Sequence, residues 1–181
     1  MLCALLQYLQ SLHPDWFMYD RALLASGQWW RLLSGHLVHT NLAHLMLNGA
    51  AVVALWFVFG QSALLGRRPV AAYLGLTALL AVLISFGLWI CYPGVEIYYG
   101  LSGVLHGLFC FGALSDLYQR RWSGALLLIG CWAKVAWELT AGASATTAEI
   151  IGAEVAVSSH LLGTVFGSLS GAIVWFWKAR Q

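Results

Sequence analysis

Long apolar runs alternate with short polar stretches along this chain. There are six such runs: Met1 to Leu12, Asn41 to Phe59, Val70 to Tyr92, Ser102 to Leu117, Gly124 to Ala141 and Val155 to Trp177. A bilayer core of about 30 Å requires about 20 apolar residues in a helix. The first run would reach only about 18 Å, so either preceding residues complete that span or the helix crosses incompletely. The pattern predicts an all-α membrane protein with six transmembrane helices, the first of them short.

The composition supports this class. Hydrophobic residues make up 61% of the 181 residues and charged residues only 9%, against about 25% in soluble domains. An ordinary soluble domain is therefore excluded, and the aromatic content of 14% excludes a disordered chain. The net charge of +2 and the scattered basic residues argue against a nucleic-acid partner. Because the pattern contains no linker or repeat, we interpret residues 1–181 as one domain in the lipid bilayer.

The basic residues predict the orientation in the membrane. One side of the predicted bundle carries six of them and the other side two: Arg67, Arg68, Arg120, Arg121, Lys178 and Arg180 against Arg21 and Arg31. Loops rich in Lys and Arg stay in the cytoplasm, so both termini are expected there. The outer side then holds three segments, His13 to Thr40, Pro93 to Leu101 and Gly142 to Glu154. The first of these is aromatic and is expected to lie in the headgroup layer.

Four polar side chains lie near the outer ends of the apolar runs. His44 and Asn48 are in the second run, Ser102 begins the fourth, and His160 lies in the sixth. All three runs begin at the outer side, and at about 1.5 Å per residue the four depths fall within about 10 Å of one another. Polar groups inside membrane helices are costly and mark functional sites. We therefore expect the four to meet in one pocket that opens outward.

Their chemistry suits acyl transfer. A serine hydroxyl becomes a nucleophile when a base within about 3 Å removes its proton, and a neutral imidazole is such a base. Ser102 is thus the predicted nucleophile and His160 the base. The oxyanion of the tetrahedral intermediate requires donors, and His44, the Asn48 amide and the backbone N–H of Ser102 are the candidates.

No carboxylate is evident behind His160, so a Ser-His dyad is expected. Glu154 lies off the helical face of His160 and is predicted to be in a loop. Lys134 and Glu138, at positions i and i+4 of the fifth run, are expected to neutralise one another; a proton or ion path is the alternative.

The glycines and two further histidines are interpreted as structural. Stripes of glycine, comprising Gly103, Gly107, Gly163, Gly167 and Gly171, allow two helix backbones to approach closely. His36 and His39 are interpreted as interfacial hydrogen-bonding groups. The alternative, a metal site, is disfavoured because the chain has no HExxH or CxxC motif, and we expect neither a metal nor a cofactor.

Three motifs resemble those of rhomboid intramembrane serine proteases. The run from His39 to Asn48, preceded by Trp30-Arg31, is similar to their first-loop and second-helix signature. Gly100-Leu101-Ser102-Gly103 resembles their GxSG nucleophile motif, and the segment from Ser159 to Gly163 with Gly167 resembles their AHxxGxxxG helix, with Ser159 in place of the usual Ala. The resemblance implies a six-helix rhomboid-like bundle with Ser102 and His160 as catalytic residues.

The longer run from Gly100 to Gly107 is similar to that of rhombosortases, a bacterial branch of the rhomboids. His106 stands where many rhomboids carry an aromatic residue that packs on the catalytic histidine. Since His106 follows Ser102 by four residues, it lies on the same helix face one turn deeper. We expect it to pack against or hydrogen-bond His160.

This resemblance implies a substrate and a location. The enzyme would cleave exported membrane proteins at a C-terminal GlyGly-CTERM tail, which has a Gly-Gly motif, a hydrophobic helix and a basic end. The new C-terminus would pass to water or to an amine acceptor. The location would be the bacterial inner membrane, with the site open to the periplasm and gated by the segment Gly142 to Glu154 or by tilting of the fifth helix. A general rhomboid protease and a non-catalytic rhomboid-like protein that binds membrane helices remain alternatives, whereas a transporter would need a midplane polar site.

Overall fold

The computed structural model describes residues 2–181, and Met1 of the first apolar run lies outside the described residues. The helices are α1 (Leu2–Leu12), α2 (Arg21–Ala25), α3 (Arg31–Ser34), α4 (Leu42–Phe59), α5 (Pro69–Cys91), α6 (Ser102–Tyr118), α7 (Ser123–Ala141), α8 (Ala145–Ile151) and α9 (Val157–Lys178). A 3₁₀ turn (Ala63–Leu65) and two short strands, β1 (Tyr19–Asp20) and β2 (Ile97–Tyr98), complete the fold.

Four helices, α4, α5, α7 and α9, are long and apolar enough to cross a bilayer. Their limits follow local chemistry: the side chain of Asn41 caps α4 by accepting the His44 N–H at 2.8 Å, and Pro69 begins α5, where its missing N–H costs nothing. The chain is therefore a multi-pass membrane protein. The bundle of six spans stays a prediction, because α1 and α6 are shorter, at 11 and 17 residues.

Helix α6 lies at the centre of the bundle. It packs against α4, α5, α7 and α9, and ten of its residues are buried. A helix surrounded by protein has little contact with lipid, so its surface can carry glycine and polar residues. This explains why α6 is less apolar than α4 and α5.

The predicted close approach of two glycine-rich helices is observed between α6 and α9. A Cβ on Gly103 would lie 2.7 Å from the Ser159 carbonyl oxygen, and one on Gly163 would overlap the Gly103 carbonyl. One turn deeper, Gly167 faces the backbone of Gly107 in the same way. The two backbones thus touch near the start of both helices, beside Ser102 and His160.

The segment from His13 to Thr40, which the sequence analysis treated as one aromatic loop, is folded. Within it β1 pairs antiparallel with β2, in the register Tyr19 with Tyr98. The Arg31 guanidinium is buried at 3% exposure and donates to the carbonyl of Met18 at 2.7 Å and to that of Asp15 at 2.5 Å. Charge-assisted hydrogen bonds to the backbone therefore help to organise this segment, together with the buried Tyr19 and Leu24.

Because His36 in this segment is buried, we expect the free energy of unfolding to fall in acid. Its ring is fully buried and donates to Ser85 Oγ at 2.9 Å, and burial lowers the pKa of His36 to about 4. The unfolded chain binds the proton near pH 6.5 and the folded chain only near pH 4, so stability is complete above pH 6.5 and falls as the pH drops through that window. The expected loss is about 2 kcal/mol at pH 5, out of about 3 kcal/mol once the pH falls below 4. Thermal denaturation in detergent at pH 7.5 and pH 5 measures it, and His36→Gln should reduce the difference; equal pH sensitivity in the variant would contradict the assignment.

Candidate active site

Ser102 and His160 meet at the end of the bundle where α6 and α9 begin. Ser102 is the first residue of α6 and His160 the fourth of α9, and the Ser102 Oγ lies 3.0 Å from the His160 Nε2. The histidine is 4% exposed. This is the distance and alignment that a serine and its base require.

The turn before Ser102 is fixed by glycine and by a buried tyrosine. Gly100 has a φ of +104°, and a Cβ there would lie 2.7 Å from the His44 ring. The position therefore requires glycine on both conformational and steric grounds. The Tyr98 hydroxyl donates to the Gly100 carbonyl at 2.5 Å, and because burial raises the pKa of Tyr98 to about 12, the hydroxyl keeps this proton at physiological pH.

Asn48, one of the predicted oxyanion donors, has a buried side-chain amide that is free to donate. It is 6% exposed, and among residues 2–181 its amide nitrogen has no hydrogen-bond partner. A buried donor without a partner is costly and is suited to a charge that forms only during reaction. The backbone N–H of Ser102, in the first turn of α6, belongs to the groups that an α-helix leaves unpaired.

His44 lines the same cavity as Ser102, but its ring proton is on Nδ1, which faces Thr40. Thr40 Oγ1 donates its single hydrogen to the Ile151 carbonyl at 2.5 Å and therefore accepts from His44 Nδ1 at 3.1 Å. A neutral His44 then carries no proton on Nε2. In this arrangement His44 shapes the site, and it would donate to an oxyanion only after Thr40 releases Ile151.

His106 contacts His160 as expected. The two rings stack with centroids 4.2 Å apart and an interplanar angle of 21°. Of the two expected contacts, packing and hydrogen bonding, the structure contains the first. The polar atoms of His106 point elsewhere, with Nδ1 lying 2.7 Å from the Ser102 carbonyl oxygen.

Glu138 is the site residue that the sequence analysis missed. Its Oε2 lies 2.9 Å from His160 Nδ1, and its Oε1 lies 2.8 Å from Lys134 Nζ. The expectation that no carboxylate stands behind His160 was wrong, although Glu154 is exposed in a loop as predicted. The signal was present: Glu138 lies three residues before the end of α7 and His160 three residues after the start of α9, so both are about 4.5 Å inside the same face.

The same cluster has the spacing of a metal site. His106, Glu138 and His160 each present one ligand atom, and these atoms lie within 4.8 Å of one another. Lys134 Nζ, however, lies 2.8 Å from the carboxylate and 2.9 Å from His106 Nε2. The ammonium group therefore supplies the positive charge at this position, and we assign no metal to it.

His36 and His39 lie outside this cluster. His36 hydrogen-bonds Ser85 and contacts the Tyr98 ring edge-on. His39 contacts the His44 ring edge-on at 4.9 Å, and its backbone is held by the side chain of Gln7 from α1. In the described part of the chain its ring nitrogens have no partner.

Two cavities lie at or near the site. The first has a volume of about 260 Å³ and is bounded by Ser102, His44, Tyr98 and the end of α8. The second has a volume of about 480 Å³ and is an apolar groove between α4, α6 and α7, with Leu55, His106 and Lys134 on its wall. The Ser102 cavity thus includes polar side chains such as Thr40 and His44, whereas the groove is almost wholly apolar.

Comparisons with known proteins identify the family to which this chain belongs. Residues 26–177 match the Rhomboid domain family. A Bacillus subtilis (strain 168) protein named "Putative rhomboid protease YdcA" is 27% identical over 103 residues, which are 56% of this chain and 48% of the relative. The chain thus spans about half the length of that relative. Since the family match covers most of the chain, including every residue of the site, the chain belongs to the rhomboid family.

Proposed function

We propose that the protein is an intramembrane serine protease that uses Ser102 and His160. The observation that carries the proposal is the 3.0 Å contact between Ser102 Oγ and His160 Nε2 at the end of a bundle of apolar helices. Membership of the rhomboid family supports it. A non-catalytic helix-binding protein would have no need of this pair.

The reaction follows from the positions of the protons. Ser102 Oγ attacks the substrate carbonyl while its proton passes to His160 Nε2, and the oxyanion accepts hydrogen bonds from Asn48 Nδ2 and the Ser102 N–H. Collapse of the intermediate breaks the C–N bond, and His160 returns the proton to the leaving amine. The acyl-enzyme is then resolved by water or by an amine, because both nucleophiles attack the same ester.

For the substrate, we propose an exported protein with a C-terminal Gly-Gly motif, a hydrophobic helix and a basic end. The apolar groove beside Lys134 suits a hydrophobic helix, and the small Ser102 cavity suits residues without side chains. A helical peptide must also unwind before its carbonyl can be attacked, and glycine weakens a helix by about 1 kcal/mol per residue relative to alanine. The likeness of residues Gly100 to Gly107 to rhombosortases points to the same tail.

The proposed location is the bacterial inner membrane, with both termini in the cytoplasm and the site open to the periplasm. The distribution of basic residues supports this orientation. The segment containing α8 would cover the opening, since Thr40 and Asn41 at the start of α4 both donate to carbonyls at the end of α8.

The substrate proposal is tested with the chain in lipid vesicles and a reporter fused to a Gly-Gly motif, an apolar helix and a basic end. We expect cleavage at or beside the glycines and a loss of about 100-fold when both are replaced by valine, because valine keeps the helix closed and fills the cavity. The intact mass of the released reporter distinguishes water from an added amine as the acceptor. Equal cleavage of both reporters would indicate a general rhomboid protease, and release of neither by a folded enzyme would contradict the proposal.

A further inference from the structure

The hydrogen bonds of the site form a closed ring through five side chains. Ser102 Oγ contacts His160 Nε2 at 3.0 Å, and His160 Nδ1 contacts Glu138 Oε2 at 2.9 Å. The second carboxylate oxygen contacts Lys134 Nζ at 2.8 Å, and that nitrogen contacts His106 Nε2 at 2.9 Å. His106 Nδ1 then returns to the Ser102 carbonyl oxygen at 2.7 Å. The chain of contacts thus begins and ends on the nucleophile.

Only one arrangement of protons satisfies every contact in the ring. The Lys134 ammonium can only donate, and the Ser102 carbonyl can only accept. His106 must therefore carry its proton on Nδ1 and accept from Lys134 on Nε2. The ionised Glu138 only accepts, so His160 carries its proton on Nδ1 and presents the lone pair of Nε2 to the Ser102 hydroxyl. This is the tautomer that a general base requires.

The positive charge of Lys134 balances the negative charge of Glu138, whose side chain is largely buried. The Glu138 side chain is 11% exposed and the Lys134 side chain 47%. Burial of an unpaired carboxylate is expensive, and Lys134 offsets it from the side of the groove. A simple i, i+4 ion pair would leave the second carboxylate oxygen free, whereas here that oxygen faces His160.

We propose that Glu138, Lys134 and His106 are positioning residues that hold His160 in its basic tautomer, so that the functional unit is a Ser-His-Glu triad closed by Lys134 and His106. The proposal rests on the proposed protease function. When His160 takes the proton from Ser102, the imidazolium forms against Glu138, which stabilises it. Lys134 limits this effect by neutralising the same carboxylate, and His106 ties Lys134 to the helix that carries the nucleophile.

The charges around His160 predict opposite pH shifts for two variants. Helix α9 packs against α5, α6, α7 and the 3₁₀ turn. The titratable groups that contact His160 or its carboxylate partner are His106, Lys134 and Glu138, and the nearby Tyr98 hydroxyl donates to the Gly100 carbonyl. Glu138→Gln removes the charge that favours the imidazolium, so the acidic limb of the pH profile of kcat should move to lower pH. Lys134→Met leaves that charge unopposed, so the limb should move to higher pH.

The test measures kcat, KM and their pH dependence for the full chain in vesicles, with a fluorophosphonate titration that counts active sites. We expect Glu138→Gln to lower kcat by about 100-fold with KM within about twofold of the original. Glu138→Asp should restore part of the activity, and Lys134→Met should lower kcat by about tenfold or less. Asp116→Asn, which changes an acid paired with Arg121 at the opposite end of α6 from Ser102, is the matched control and should match the original protein.

The outcomes separate this proposal from the function on which it rests. If the original protein shows no labelling of Ser102, the protease function fails. If labelling and cleavage occur but Glu138→Gln keeps kcat within about twofold of the original, or both variants move the acidic limb in the same direction, the ring proposal is overturned. If Glu138→Gln loses titratable sites by misfolding, the shift in Lys134→Met, normalised to the sites that remain, decides the question alone.

Discussion

Replacement of Ser102 by alanine is expected to lower the rate of substrate cleavage by about 1,000-fold or more. The hydroxyl is the group that attacks the carbonyl, and no covalent intermediate forms without it. His160→Ala should cause a loss of the same order, because the hydroxyl then keeps its proton. Removal of both should cost little more than removal of one, since residues that act as a unit are not additive. Release of the soluble part of a tail-bearing reporter, followed over time, measures all three variants.

The matched control for this prediction is Ser123→Ala. Ser123 is also the first residue of a membrane helix, α7. It is exposed, and it lies at the end of α7 that is away from Glu138. It should leave the cleavage rate unchanged. Cleavage by Ser102→Ala at more than about a tenth of the original rate would contradict the assignment of the nucleophile.

Gly163→Ala is expected to destabilise the fold by about 1–3 kcal/mol, although it adds a single methyl group. That methyl would overlap the carbonyl oxygen of Gly103, so α6 and α9 would have to separate, and overpacking of this kind costs energy in that range. His160 lies three residues before Gly163 and would move away from Ser102. The cleavage rate should fall together with the thermal denaturation temperature in detergent.

Gly49→Ala provides the comparison, since Gly49 also lies in a membrane helix but has no atoms within 4 Å of the position its Cβ would take. Alanine favours helix over glycine by about 1 kcal/mol or less, so this variant should be neutral or slightly stabilised. A similar loss of stability in both variants would mean that the contact between α6 and α9 is not what makes Gly163 necessary.

The sequence was sufficient to predict the long helices, because their hydropathy marks them directly and residues that disfavour helix, such as Pro93 and Gly142, follow their ends. It could not establish that α6 lies at the centre of the bundle. That helix is short and rich in glycine, and it is buried only because four neighbouring helices surround it. The fold of the segment from His13 to Thr40 was also missed, since it depends on contacts such as that between Tyr19 and Tyr98.

The meeting of Ser102, His160 and His106 followed from helix depth and from i, i+4 spacing. Glu138 was missed because depth was compared only among helices that begin at the outer side, whereas α7 ends there. The proton on His44 could not have been predicted at all. It is set by the bond from Thr40 to the Ile151 carbonyl, 111 residues away in the chain.

The central claim, that Ser102 is a nucleophile activated by His160, is tested most directly by covalent labelling. The purified protein in detergent is treated with a fluorophosphonate, and the modified residue is located by mass spectrometry. The account predicts one label per chain on Ser102, no label in Ser102→Ala, a large loss in His160→Ala and full labelling in Ser123→Ala. Absence of labelling in the folded original protein, or equal labelling of Ser102→Ala, would contradict it.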